Sequence, residues 1–88
     1  MIWIEVDDQG LIIAERIVAV GQAETAPMKR LLALMPAEKV IILTGGQRRQ
    51  SVTILESGHA VVTALSVSDM MIKLHQINQD AGRFKTLR

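Results

Sequence analysis

The chain has 88 residues, enough for one domain, and its lack of cysteine excludes disulfide bonds, thiolate metal sites and cysteine nucleophiles. Its formal net charge of +1 shows no global basic excess of the kind that typifies many nucleic-acid-binding domains. Hydrophobic residues make up 49% of the chain, so we expect part of the apolar surface to face another copy; the alternative is a compact, unusually aliphatic monomer.

The N-terminal segment is predicted to form a β-hairpin. Apolar side chains alternate with others over residues 1–6, and this period of two is typical of a half-buried strand. Residues 7–10 are typical of a turn, in which Gly10 is able to take positive φ. Residues 11–14 are then the returning strand.

A third strand and a helix follow the hairpin. The strand is predicted at residues 17–20 and ends at Gly21. The helix begins where Thr25 can cap the free amides and Pro27 is tolerated in the first turn, and Pro36 stops it. An apolar stripe at helical spacing predicts the face that packs on the sheet: Met28, Leu31, Leu32 and Met35.

The second half of the chain is predicted to contain a three-stranded meander. Its first strand, residues 40–43, is apolar on both faces, as expected of a central strand. Residues 52–55 are the predicted partner, and residues 60–65 form a further strand. Residues 44–50 and 56–59 are the predicted loops, so 44–50 is interpreted as a hairpin loop.

A second helix is predicted after Ser66, which caps it, with Asp69 three residues later as a weak capping box. Ile72 lies off the apolar stripe and is a candidate for a subunit contact. We expect a core at about residues 1–78 and a polar, basic, frayed tail at 79–88. The predicted stripe consists of Val67, Met70, Met71, Leu74 and Ile77.

The catalytic inventory is thin. His59 and His75 are the only histidines, and neither lies at a spacing typical of a metal motif. No serine has the context of a nucleophile, and no glycine-rich segment matches a phosphate loop. We therefore expect a non-enzyme with no cofactor, no metal and no small-molecule substrate. Short apolar runs and an acidic start predict a cytoplasmic protein with no membrane association.

The loop at residues 44–50 carries the one positive chemical signal. Arg48 and Arg49 can form forked hydrogen bonds with the phosphates of a nucleic acid or with guanine edges. Gln47 can donate a hydrogen bond to the same sugar-phosphate backbone. The alternative is a solvated loop tip whose arginines keep a sheet edge soluble. One Phe, one Trp and no Tyr provide no series of stacking platforms, so duplex DNA is favoured over unpaired bases.

The sequence resembles the RemA family of bacterial extracellular-matrix and biofilm regulators from about Gly10 to Leu74. The helix start is the most specific of the matching segments, because a Ser/Thr-Ala-Pro-apolar-Lys-Arg start is close to the family's own. The four segments are Ile12-Ile13-Ala14-Glu15-Arg16-Ile17, Glu24-Thr25-Ala26-Pro27-Met28-Lys29-Arg30-Leu31-Leu32, Thr44-Gly45-Gly46-Gln47-Arg48-Arg49 and Val52-Thr53-Ile54-Leu55-Glu56-Ser57-Gly58-His59.

The resemblance implies a small cytoplasmic transcriptional regulator that binds DNA as a ring-like homo-oligomer. It implies DNA contacts from Arg16, which matches an arginine after the family's first hairpin, and from the central loop. There Gly46 and Arg48 match a Gly-Arg-Arg segment, but Gln47 stands where the first arginine is expected. Arg49, one place later, is the candidate to replace it.

These observations lead to one preferred hypothesis and one alternative. The first is an α+β domain, with two helices on a small, mainly antiparallel sheet, whose homo-oligomeric ring presents Arg16, Arg48 and Arg49 to duplex DNA. Lys29 and Arg30 either widen this DNA-binding surface or simply form a solvated helix face. The alternative is a structural or interaction protein whose oligomer binds a protein partner and uses the arginines at subunit interfaces.

Overall fold

The computed structural model describes residues 2–81, with side chains to residue 77. Its strands and α-helices, in chain order, are β1 (Trp3–Val6), β2 (Gly10–Ile13), β3 (Ile17–Gln22), α1 (Ala26–Leu34), β4 (Val40–Leu43), β5 (Ser51–Leu55), β6 (Ala60–Thr63) and α2 (Val67–Ala81). Short 3-10 helices at Ala14–Arg16 and Ala37–Lys39 lead directly into β3 and β4. The predicted α+β class with two helices is confirmed.

The β1–β2 hairpin follows the predicted alternation: Ile4 and Val6 are buried, whereas Trp3 and Glu5 are exposed. Gly10 does not take the positive φ that its lack of a side chain allows. Asp7 takes that conformation, with φ of 51°, because the left-handed position falls at the start of the turn and aspartate tolerates it. Gly10 already belongs to β2.

The third strand runs through Gly21 to Gln22, so the predicted end at Gly21 is wrong. Gly21 pairs with Val52 in the antiparallel ladder, so the glycine does not interrupt the pairing of β3 with β5. A Cβ on Gly21 would stand 2.6 Å from Met28 Cε. The glycine therefore lets α1 approach the sheet closely.

The predicted meander is wrong. The strand order of the main sheet is β3-β5-β6-β4, and β4 pairs only with β6, in parallel, among the described residues. Because β6 lies between β4 and β5, the segment at residues 44–50 crosses past β6 to reach β5 and is not a hairpin loop. The β5–β6 pairing is the predicted hairpin, with Gly58 at φ of 93° in its turn. β4 is thus an edge strand and not the expected central one.

The main sheet is covered on both faces. The β1–β2 hairpin and α2 share one face, where the buried side chains are Ile4, Val6, Ile12, Val61 and Met70. The first helix packs on the other face, where Met28, Leu32 and Met35 contact the cluster of Ala23, Val52, Ala60 and Val62. This three-layer arrangement buries both sides of β5 and β6 and leaves the edges of the sheet open.

The two helices follow their predicted stripes in part. Leu31 of α1 and Met71 of α2 are exposed, so both assignments to the buried face are wrong. Each helix packs against only one layer of the domain, so the buried stripe on its surface is narrower than predicted. Thr25 is the residue before α1, but its hydroxyl donates to the Gln22 carbonyl at 3.1 Å instead of capping the helix.

The start of α2 is as predicted, because the Ser66 hydroxyl accepts the Asp69 N–H at 3.0 Å. Ile72 is exposed, off the stripe, and its role as a subunit contact stays a prediction. The helix continues to Ala81, past the predicted core boundary at residue 78. The rest of the predicted tail, residues 82–88, lies outside the described residues. Across the described part of the chain, no helix has the length and apolar character needed to cross a bilayer.

Candidate nucleic-acid interface

The crossover at residues 44–50 is anchored at both ends. At its start Thr44 is buried, Gly45 and Gly46 have positive φ, and the Gln47 N–H donates to the Thr44 carbonyl at 3.0 Å. At its end the Gln50 N–H donates to Thr63 of β6 at 2.9 Å, and the Gln50 carbonyl accepts the Ala23 N–H at 3.1 Å. The backbone on either side of the arginines is therefore fixed to the sheet.

The hairpin also supports this crossover. A Cβ on Gly45 would stand 2.6 Å from Gln9 Nε2, so the side chain of the β1–β2 turn packs directly on the glycine backbone. With φ of 61°, Gly45 also holds a conformation that L side chains rarely adopt. The positive φ explains the glycine at this position, and the Gln9 side chain, whose far end can shift, adds a weaker steric constraint.

Arg48 and Arg49 border a polar cleft of about 210 Å³ beside the start of α2. Neither arginine has an ion-pair partner among residues 2–77, and both side chains are exposed. The cleft also contains Gln22, Glu24, Gln50, Ser66, Val67 and Ser68. Two guanidinium groups, serine and glutamine side chains and the positive end of a helix together form surroundings suited to phosphate oxygens.

Glu24 is the acidic group of this cleft, and it is already engaged. Its carboxylate lies 3.2 Å from Lys29 Nζ, and both side chains are at least half exposed. Lys29 also lines a groove with Arg49 between α1 and β4. Lys29 thus adjoins the arginines, while Arg30 is exposed on α1 and lines neither the cleft nor this groove. Gln47 is exposed in the turn before Arg48.

Arg16 lies at the opposite end of the sheet. It precedes Ile17, which pairs with Leu55, whereas the Arg48–Arg49 cleft adjoins the Gln22–Ser51 end of the same ladder. At about 3.3 Å per residue, the length of β3 separates these ends by roughly 17 Å. The structure therefore does not bring Arg16 together with Arg48 and Arg49 within one chain.

Within residues 2–77, Arg16 is also the one predicted arginine with an acidic partner. Its Nη1 lies 3.3 Å from Glu56 Oε1 in the β5–β6 turn, and both side chains are more than half exposed. Its neighbour Glu15 accepts a hydrogen bond from the Ile2 N–H at 3.0 Å, which lowers the pKa of the Glu15 carboxyl below its ordinary value. This end of the sheet therefore carries matched charges.

The sequence interpretation missed Ser66 and Ser68 as neighbours of the arginines. Their proximity follows from the β5–β6 hairpin: an antiparallel pair places the residues after β6 beside those before β5. That hairpin was predictable, so the signal was present in the sequence. The wrong pairing of β4 with β5 concealed it.

The described residues contain no cluster of acidic, histidine or cysteine side chains able to hold a metal ion. His59 Nδ1 lies 2.6 Å from Ser57 Oγ within the β5–β6 turn, a short-range contact that organises the turn. Neither residue borders the arginine cleft. The arrangement around Arg48 and Arg49 is suited to binding an anion rather than to acid–base chemistry.

Comparison with known proteins gives a consistent result. A model of the RemA-like family, described as "Extracellular matrix regulatory protein A-like", matches residues 3–74. A Kosmotoga olearia protein is 30% identical over 71 residues, covering 80% of this chain and 72% of that protein. A Finegoldia magna protein is 30% identical over 69 residues, covering 77% and 83%. Both relatives are named "Putative regulatory protein".

Proposed function

The chain belongs to the RemA-like family, and we propose that it is a non-enzymatic transcriptional regulator that binds duplex DNA as a ring-like homo-oligomer. Arg48 and Arg49 make the principal phosphate contacts in this proposal, and Arg16 makes a second, separate one. Similarity to proteins named as regulators supports the regulatory role. The arginine side chains themselves support the DNA contacts.

One observation carries the proposal: two adjacent arginines without acidic partners among residues 2–77 flank the first turn of α2. A guanidinium without a carboxylate partner retains its donors for an external anion. Because Gln50 is hydrogen-bonded to Thr63 of β6 and to Ala23, just after β3, the two arginines approach a ligand from a rigid base. A rigid base reduces the entropy lost when the side chains engage DNA.

The separation of the arginines explains why several copies are required. Two contact regions roughly 17 Å apart along β3, with two or three charges in total, bind a polyanion weakly. When copies are linked in one particle, each further contact becomes intramolecular and the overall affinity rises without new kinds of contact. A ring that repeats both regions meets this requirement.

Lys29, Arg30 and Gln47 have secondary roles in the proposal. Lys29 adjoins Arg49 but is paired with Glu24, so its net contribution to phosphate binding is reduced. Arg30 is exposed one residue further along α1 and acts through the general positive field. Gln47 supplies a neutral donor beside Arg48.

The proposal is tested by titrating a labelled DNA duplex and following fluorescence anisotropy at low and moderate salt. Wild-type protein is expected to bind with strong salt dependence, and the Arg48→Ala/Arg49→Ala protein to bind much more weakly. The single variant Arg49→Ala is compared with Lys73→Ala, which removes a single positive charge from α2 and is expected to weaken binding less. Absence of salt-sensitive binding by wild type contradicts the proposal.

A second candidate function is a structural protein whose arginines hold subunits together. Arg16 already has a protein carboxylate as its partner within the chain, so an arginine of this set can be used for a protein contact instead of a phosphate contact. In that case the Arg48→Ala/Arg49→Ala protein falls apart into monomers. In the DNA-binding case its mass equals that of wild type, so light scattering on the same samples separates the two functions.

A further inference from the structure

The fourth strand combines the sequence of a central strand with the position of an edge strand. Val40, Ile41, Ile42 and Leu43 are all apolar, yet Ile41 is 40% exposed and Ile42 is 50% exposed. An open groove flanks the strand on each face. The groove of about 480 Å³ on the hairpin side includes Trp3, Leu11, Ile41 and Leu43, and that of about 590 Å³ on the α1 side includes Leu32, Ala33, Val40 and Ile42.

The opposite edge of the sheet, β3, is also apolar. It contains no charged residue, and Val18 is 65% exposed at a bulge between Ile17 and Ala19. Beyond the bulge, the regular part of the strand covers residues 19–22. Its four residues match the length of β4. No strand borders the outer side of either edge in the described part of the chain.

Two open, apolar edges are unusual in a single small sheet. Natural proteins protect edges with charges, prolines or covering elements, because an open edge pairs with other chains. Contact between two β4 edges would leave both β3 edges open. Pairing the β4 edge of one copy with the β3 edge of the next covers both kinds of edge, and repetition around a ring leaves none open.

Strand direction agrees with such a contact. The fourth strand is parallel to β6, and β3 and β6 are both antiparallel to β5, so β3 and β4 run in the same direction. When the β4 edge of one copy pairs with the β3 edge of the next, the two strands are parallel and their N-terminal ends lie side by side. Each starting end carries one acid and one base, Glu15 with Arg16 and Glu38 with Lys39, so unlike charges can be matched across the boundary.

We infer that the β4 edge of one copy pairs with the β3 edge of a second copy of this chain and extends the four-stranded sheet across the subunit boundary. This contact, the β4–β3 seam, rests on the proposed function for the existence of a homo-oligomer and identifies the surface that builds it. The seam explains why β4 has a central-strand sequence. It also brings Arg16 of one copy beside the edge of its neighbour.

Two complementary variants test the seam. Ile42→Lys blocks the β4 edge, and Ala19→Lys blocks the β3 edge. Both residues belong to the face of the sheet that packs on α1, since Ala19 pairs with Ile54 and Ile42 pairs with Val62. Each variant alone is expected to have the mass of one chain, 9.7 kDa. A 1:1 mixture retains one intact pair of edges and is expected to give twice that mass and nothing larger.

Leu34→Lys is the matched control, because Leu34 is 80% exposed on α1 and lies outside both grooves. It is expected to keep the wild-type mass. Circular dichroism checks folding, and Ile42→Thr replaces Ile42→Lys if the lysine unfolds the chain. Masses are measured by light scattering without DNA, so failure of the seam is distinct from failure of DNA binding.

Four results would overturn the seam: a monomeric wild type, wild-type mass in both edge variants, dimerisation of Ala19→Lys alone, or equal dissociation by Leu34→Lys. If both edge variants keep the mass of the wild-type oligomer, the seam is wrong but the DNA-binding proposal is unaffected. An assembled wild type that shows the predicted mixing but no affinity for DNA leaves the seam intact.

Discussion

Arg16 Nη1 lies 3.3 Å from Glu56 Oε1, at the end of the β3–β5 ladder opposite the crossover that carries Arg48 and Arg49. The ion pair neutralises one of the three proposed arginine contacts within the chain. The other two have no such partner among residues 2–77. The two ends of the sheet are therefore expected to respond differently to substitution.

Glu56→Gln tests the role of Arg16. Removal of the carboxylate frees the guanidinium for phosphate, and DNA is expected to bind roughly two- to fivefold more tightly in an anisotropy titration. Glu5→Gln removes the same charge from an exposed position of the hairpin outside the groove that contains Arg16, and it is expected to have a smaller effect. Weaker binding by Glu56→Gln would show that the ion pair itself is needed.

Gln47→Arg tests the position where the resemblance described above predicts an arginine. The side chain is exposed beside Arg48, so the new charge needs no burial. For each copy that engages the duplex, we expect a gain on the order of 1 kcal/mol in DNA affinity and a salt slope steeper by about 0.9. Gln76→Arg, also exposed but on α2, is the control; an equal gain there would mean that only net charge matters.

Ser66→Ala tests the cap that fixes the start of α2 beside the arginines. Loss of the hydrogen bond from the Asp69 N–H is expected to lower the free energy of unfolding by about 1 kcal/mol in urea titrations at fixed protein concentration. Ser68→Ala, in the same turn, is the control and should change stability less. Equal stability of the Ser66→Ala protein and wild type would show that the cap is dispensable.

Thr53→Val tests a buried polar atom in the sheet. Thr53 is fully buried and its Oγ1 has no hydrogen-bond partner among the described residues, so replacement is expected to stabilise the fold by about 1 kcal/mol.

Thr63→Val is the opposing control for this site. It removes the 2.7 Å hydrogen bond with Ser51 and leaves a buried hydroxyl unpaired, with an expected loss of about 1–3 kcal/mol in the same urea titration. Destabilisation by both valines would contradict the assignment of Thr53 as the unpaired group.

Local patterns predicted the local structure well. The alternation in β1, the turn before β6 and the Ser66 cap each depend on neighbouring residues, and each is present in the fold. Strand order depends on distant pairings, and the apolar sequence of β4 fits a central position as well as an edge with a layer on each side. The meander was wrong for this reason.

The candidate site was predictable to the same extent. Exposure of Arg48 and Arg49 follows from a polar segment between strands, and it is present in the fold. The distance between Arg16 and these arginines depends on which end of β3 meets which end of β5. That relationship arises from tertiary pairing, so no local pattern could provide it.

The central claim is that several copies of the chain engage one DNA duplex through these arginines. Its most direct test is the slope of log K against log salt concentration for wild-type protein and the Arg48→Ala/Arg49→Ala protein. Three arginines of a single chain account for a slope of about −2.7 at most. If several copies engage one duplex, wild type has a steeper slope and the double variant a markedly flatter one; a wild-type slope shallower than −2.7, or equal slopes for both proteins, would rule this out.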